Sequence, residues 1–292
     1  MSKRLLIVVV VGLAGCSSPP EDARETLAQR GIAFTPDAFG ATVAKGDVEA
    51  VQAFLTAGMG PDTANAQGRP VVYIASERGD VDVLRSLLEK GAPAKAEAED
   101  GTTALVTAVR RGHTDAARLL LERGADPNQP DRTGRYPLLE ALKSRHPEVA
   151  QVLLDKGAQP TVGDDNWSPL MLAAFRGQTS VVAAILERDP DVNAANHRGM
   201  TAVMFAASAG HTDIVKALIA KGADLHARDA GGHTALHFAS NNGYPDTVRA
   251  LLDAGAKPDT PSGLGAGALA YAQINGHRDV AAILQHSMAG SR

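Results

Sequence analysis

One thiol, nine imidazoles and 29 glycines carry most of the reactive or ligand-cradling potential of this 292-residue chain. The thiol is Cys16, so no intrachain disulfide can form. Zinc fingers and iron–sulfur clusters built on several thiolates are excluded for the same reason. Four imidazoles, His113, His146, His211 and His277, recur at one position, each directly after a glycine or after Arg145. That regularity fits turn and cap hydrogen bonding. A second group, His226, Asp229, His233 and His237, carries metal-ligating residue types, but structural roles explain it better than a metal site. The run GLGAGA, Gly263 to Ala268, has glycines spaced as in a phosphate loop, yet no expected parallel strand precedes it. No Ser–His–Asp arrangement stands out. The chain therefore reads as non-enzymatic, with no catalytic residue, no metal and no cofactor assigned.

The elements that would position these groups are repetitive. Glycine recurs at Gly68, Gly101, Gly134, Gly199, Gly232 and Gly265, with Asn166 in the missing place; the steps are 33 residues, with one of 32. Such a period marks a stacked array. Alanine occupies Ala75, Ala108, Ala141, Ala173, Ala206, Ala239 and Ala272, which predicts close helix–helix contact. Glycine falls again at Gly46, Gly79, Gly112, Gly177, Gly210, Gly243 and Gly276, with Arg145 the exception, where a left-handed residue would end a short helix. Just beyond lie Glu49, Asp82, Asp115, Glu148, Ser180, Asp213, Asp246 and Asp279, suited to the first turn of a second helix. Pro147 and Pro245 fit its first position. Gly91, Gly124, Gly157, Gly222 and Gly255 close the second helices, and Asp189-Pro190 replaces Gly-Ala in one unit. Each unit is expected to be a hairpin, a short helix, a tight turn, a second helix and a return loop.

The units from Gly101, GTTALVTAVRRGHTDAARLLLERGADPN, and from Gly232, GHTALHFASNNGYPDTVRALLDAGA, resemble the ankyrin consensus almost throughout. The resemblance covers about residues 35–288, as eight units whose first is atypical and whose last is truncated. It implies an all-α solenoid of helix-turn-helix units linked by β-hairpin loops. It also implies that the His237 imidazole bonds to backbone. A leading helix is expected within residues 21–34, and residues 289–292 form a C-terminal tail.

The N-terminus is of another kind. Lys3 and Arg4 precede a nine-residue apolar run, Leu5 to Leu13, too short for the roughly twenty residues that span a bilayer. The run ends in Leu13-Ala14-Gly15-Cys16, which resembles the lipobox of bacterial lipoproteins. The resemblance implies removal of residues 1–15 as a signal peptide and acylation of Cys16. Residues 16–20 then form a lipidated tether, kept extended by Pro19-Pro20. In that family the residue after the cysteine influences sorting, and Ser17 leans towards the outer membrane, facing the periplasm.

Stacked units create an extended concave face. In the ankyrin family, hairpin tips and first helices present it. The tip column reads Arg69, Thr102, Arg135, Trp167, Met200, His233 and Ala266, and Trp167 is the chain's one tryptophan. Aromatic, Met and Arg side chains are common interface anchors. Arg135, Tyr136, Trp167, Phe175 and Met200 are thus the candidate protein-binding residues, set against a reading in which Trp167 folds over a neighbouring hairpin and Phe175 packs between helices. Leu172, Phe205, Phe238 and Tyr271 form a second apolar column, expected to be core. Net charge is −4 with both signs interspersed, and no basic stripe suggests nucleic acid. The function expected is a lipid-anchored, non-enzymatic protein-binding module of the cell envelope. The alternatives are a protective or inhibitory protein masking an envelope enzyme or toxin, and a periplasmic binder of small ligands or metals.

Overall fold

The computed structural model describes residues 18–160, 163 and 166–290. The signal segment 1–15, the candidate lipidation site Cys16 and residues 291–292 lie outside them. A leading helix, α1 (Pro19–Gln29), precedes eight helix pairs. The first four are α2 and α3 (Pro36–Lys45, Val48–Thr56), α4 and α5 (Val71–Arg78, Val81–Glu89), α6 and α7 (Ala104–Arg111, Thr114–Glu122), and α8 and α9 (Pro137–Lys143, Pro147–Asp155). The rest are α10 and α11 (Pro169–Arg176, Thr179–Leu186), α12 and α13 (Ala202–Ala209, Thr212–Ala220), α14 and α15 (Ala235–Asn241, Pro245–Asp253), and α16 and α17 (Ala268–Ile274, Arg278–Gly290).

The first helices stack in one row and the second helices in another, each packing on its counterpart in the next unit. The alanine column explains the close stacking: all seven members are completely buried. A larger side chain there would overpack the interface. The second row is amphipathic; in α5 the buried residues are Val83, Leu84, Leu87 and Leu88, spaced to make one stripe. Its acidic residues sit in the first turn, as in α3, α5, α7, α9, α13 and α15. Between the helices of a pair the chain turns through a left-handed residue, Gly177 at φ +71° being typical. Arg145 (φ 61°) holds the same kind of backbone where that glycine is missing, and Asp189 (φ 46°) does so after α11, in place of a glycine that closes a second helix.

Three details depart from expectation. Pro19 and Pro20 do not extend a tether; they are the first two residues of α1. Proline is preorganised for that place, and the Glu21 carboxylate accepts the Ser18 N–H at 3.1 Å to complete the cap. The array therefore begins two residues earlier, with α1 on α3 at the head of the second row. The hairpins are also slighter than expected. Each of three loops closes on one antiparallel bridge, Ala64 to Pro70, Glu97 to Thr103 and Ala195 to Thr201, and no longer strand occurs among the described residues. Finally, the recurrent histidines do not cap their own helices. His113 Nε2 meets the Glu77 carbonyl at 3.0 Å, His211 Nε2 that of Phe175 at 3.2 Å, and His277 Nε2 that of Asn241 at 3.0 Å. These bonds tie each unit to the one before it.

The ends differ from the middle. At the head, Phe34, Phe39 and Phe54 cluster with ring centroids 5.6 and 4.9 Å apart. They are sealed by α1 through Leu27 and by Arg24 over the Phe34 ring. At the tail, α17 buries Val280 and Leu284, while Leu264 and Ile274 stay exposed. No helix among the described residues is long and apolar enough to cross a membrane.

Candidate partner-binding face

The tip residues are set by a local device. Four residues before four of the tips, Arg69, Arg135, Met200 and His233, stands a short polar side chain whose Oδ1 accepts two backbone N–H groups; Gly163 fills that place before Trp167. Asn65 takes those of Gln67 and Arg69, Asp131 those of Thr133 and Arg135, Asn196 those of Arg198 and Met200, and Asp229 those of Gly231 and His233. This Asx geometry fixes the turn and aims the tip side chain. Sequence reading missed it, although the signal is present as a further, incomplete repeat column, Asn65, Asp131, Asn196, Asp229 and, in the last unit, Ser262. It also gives Asp229 a structural role and removes the need for a ligand there.

The structure brings Trp167 and Phe175 together, with a third ring added. Trp167 lies 4.6 Å from Phe205 and 5.6 Å from Phe175, and Phe175 meets Phe205 edge-on at 6.1 Å, centroid to centroid. These distances fall in the range favoured by aromatic pairs, about 4.5–7 Å. Trp167 and Met200 are half-buried against the core, and Phe205 is buried beneath them. Phe175 is not packed between helices: it is 41% exposed on α10. Tyr136 is half-buried at the start of α8. Arg135 turns to the Asp131 carboxylate at 3.6 Å.

Towards the head of the array the same face is ionic. Arg69 and Arg111 both pair with Glu77, the latter at 3.0 Å. Burial alone would raise the Glu77 carboxyl, but the two guanidiniums outweigh it and hold it below the ordinary carboxylate range. Arg69 also lies over the Tyr73 ring at 5.0 Å.

Towards the tail the face becomes polar and aromatic. His237 is buried; its Nδ1 accepts the Thr234 N–H at 3.1 Å and its Nε2 reaches the Ala266 carbonyl at 3.3 Å, which assigns the proton to Nε2. Burial, the largest influence, pushes its pKa down, so the ring is neutral. His233 Nδ1 lies 3.0 Å from Asp229, and its Nε2 lies 3.0 Å from the Tyr271 hydroxyl. His226 is exposed, and no group of three ligating side chains gathers among the described residues. The apolar column expected to be core divides: Leu172 and Phe205 are buried, whereas Phe238 and Tyr271 are half-exposed and face the His233 ring.

Comparison with known proteins agrees with this architecture. The family described as "Ankyrin repeats (3 copies)" matches residues 39–131, 128–196, 170–262 and 231–290. No curated protein sequence matches the chain significantly. Among solved structures, the human ASB11 ankyrin repeat domain superposes with a TM-score of 0.64 at 25% identity, covering 73% of this chain and 96% of that one. From the alanine column to the family match, which runs through nearly the whole helical stack, the chain belongs to the ankyrin-repeat family.

Proposed function

We propose that this chain is a lipid-anchored protein of the bacterial cell envelope that captures a protein partner on its concave face, without catalysis. The observation that carries the binding reading is the ring cluster of Trp167, Phe175 and Phe205, in which one large apolar side chain stays exposed while packed against two other rings. Aromatic anchors of this kind supply contact area with little conformational freedom left to lose. The anchoring reading rests on the lipobox-like sequence ending at Cys16. One residue, Ser17, separates that cysteine from Ser18, which caps α1. Acylation would hold the array directly against the bilayer, on the periplasmic side and most naturally at the outer membrane. Confinement there raises the effective concentration towards membrane-bound partners.

Site-specific photo-crosslinking in intact cells tests the binding reading. A benzophenone side chain replacing Phe175 is expected to trap a discrete protein adduct. The same group replacing Lys216, exposed on α13, is expected to trap none. Trp167→Ala with Met200→Ala should weaken the adduct at 175 while the helical spectrum is retained. Equal adducts at both positions would refute the assignment of the concave face.

A further inference from the structure

Two places on the concave face are built from the same repeat positions, two units apart. His233, Phe238, Asn241 and Tyr271 stand where Trp167, Leu172, Phe175 and Phe205 stand earlier in the chain. In both, the tip ring meets the ring of the following unit, at 4.6 Å for Trp167 with Phe205 and 5.6 Å for His233 with Tyr271. In the earlier place the third ring, Phe175, completes the cluster. In the later one the small carboxamide of Asn241 replaces it, and a cavity of about 200 Å³ opens among His233, His237, Phe238, Asn241 and Tyr271.

The size and chemistry of this cavity select its occupant. It is smaller than the roughly 300–1,000 Å³ of small-molecule pockets, so it suits one side chain. No Lys, Arg, Asp or Glu lines it. The nearby Asp229 Oδ1 already receives the N–H groups of Gly231 and His233 and faces His233 Nδ1. A charged side chain would enter without a partner and lose its hydration. The walls are held in place: His233 is fixed between Asp229 and Tyr271, and the Tyr271 hydroxyl also meets Ser262 Oγ at 3.2 Å. The rings of His233, His237, Phe238 and Tyr271 form the walls, as the Trp167 and Phe205 rings surround Phe175 in the other place.

We infer that this cavity is a second anchor site, which takes an uncharged aromatic side chain from the same extended partner segment that lies on Trp167 and Phe175. The inference rests on the concave-face reading above. Two units at about 8–10 Å each put the sites roughly 16–20 Å apart. At about 3.3 Å per residue, the partner's two aromatic side chains fall about five to six residues apart in an extended segment.

The probes are N-acetyl-tyrosinamide and capped Gly/Ser peptides carrying two tyrosines, spaced either two or six residues apart. Ring resonances of His233 and Tyr271 report the cavity, and the emission of Trp167, the one tryptophan, reports the other site. N-acetyl-tyrosinamide is expected to shift the His233 and Tyr271 resonances saturably. That shift should vanish in Asn241→Phe, which supplies the third ring from within, and in Phe238→Ala, which removes a half-exposed wall. The six-residue peptide should bind at least about ten times more tightly than the two-residue one and move both readouts. Unshifted His233 resonances, or a shift that persists in Asn241→Phe, would overturn the cavity assignment. Equal affinity for the two peptides would overturn the single-segment geometry. The photo-crosslink at 175 reads the concave face by itself, so failure there is distinguishable.

Discussion

The turn after α10 offers a quantitative test of how one unit leans on the next. Gly177 has φ +71°, and a Cβ added there would lie 2.6 Å from His211 Cε1. Gly222, which closes α13, has φ +87° with nothing within 4 Å of an added Cβ. Gly222→Ala should therefore cost only the left-handed backbone penalty, about 1–2 kcal/mol. Gly177→Ala should cost that penalty and also displace the His211 imidazole, breaking its 3.2 Å bond to the Phe175 carbonyl. A net hydrogen bond is worth about 0.5–1.5 kcal/mol, so the total should reach about 1.5–3.5 kcal/mol. Urea unfolding followed by Trp167 emission is the appropriate assay, because Trp167 belongs to the same unit as Gly177. Helical ellipticity recorded in parallel would show whether the array melts as one. In a His211→Ala background the extra cost should disappear, leaving Gly177→Ala equal to Gly222→Ala. Equal costs in the parent background would refute the idea that the imidazole rests on the glycine and staples the units.

Further outcomes follow from the same geometry. Ala206→Leu, within the fully buried column, should cost about 1–3 kcal/mol, while Ala220→Leu on the exposed side of α13 should stay within about 0.5 kcal/mol; chemical denaturation compares them. Burial lowers the His237 pKa below its unfolded value near 6.5, so the unfolded state binds more protons over that interval. Stability should thus fall as pH drops through about 6.5, and His237→Gln should flatten that part of the thermal-midpoint profile between pH 7.5 and 5.5. The carboxyls of Asp47, Glu77 and Asp100, held low by their hydrogen-bond and ion-pair partners, stay ionised there and lose their contribution only at more acid pH. Cys16→Ser should abolish acylation and release the folded array from salt-washed membranes; retention in the membrane fraction would refute the lipobox reading.

Much of the fold was legible because a repeat array reads out the same local rule many times. The left-handed turns were visible as a glycine column since glycine adopts positive φ without penalty, and the two exceptions, Arg145 and Asp189, still obey the rule. The acidic first turns and the alanine seam were legible for similar reasons. Less was legible at the site. The tip column brought forward Trp167, but not its 4.6 Å contact with Phe205, nor the Asx residues that set the tips at Arg69, Arg135, Met200 and His233. Phe205 and Phe238 share one apolar column expected to be core, yet Phe205 is buried and Phe238 is half-exposed. Pro19 and Pro20 read as an extended tether, but the Ser18–Glu21 cap makes them the start of a helix.

By itself the sequence determined the period, the order of helices and turns, and which positions must be small, because these depend on backbone conformation and on residues close in the chain. What only the tertiary structure decided are the contacts made across a whole unit. Trp167 meets Phe205, and His233 meets Tyr271, across 38 residues; His211 reaches the Phe175 carbonyl across 36. Whether such a ring cluster is complete, as at Phe175, or leaves a cavity, as at Asn241, depends on how two neighbouring units pack side by side. That packing is long-range in sequence and short-range in space, so no local rule of the repeat reveals it.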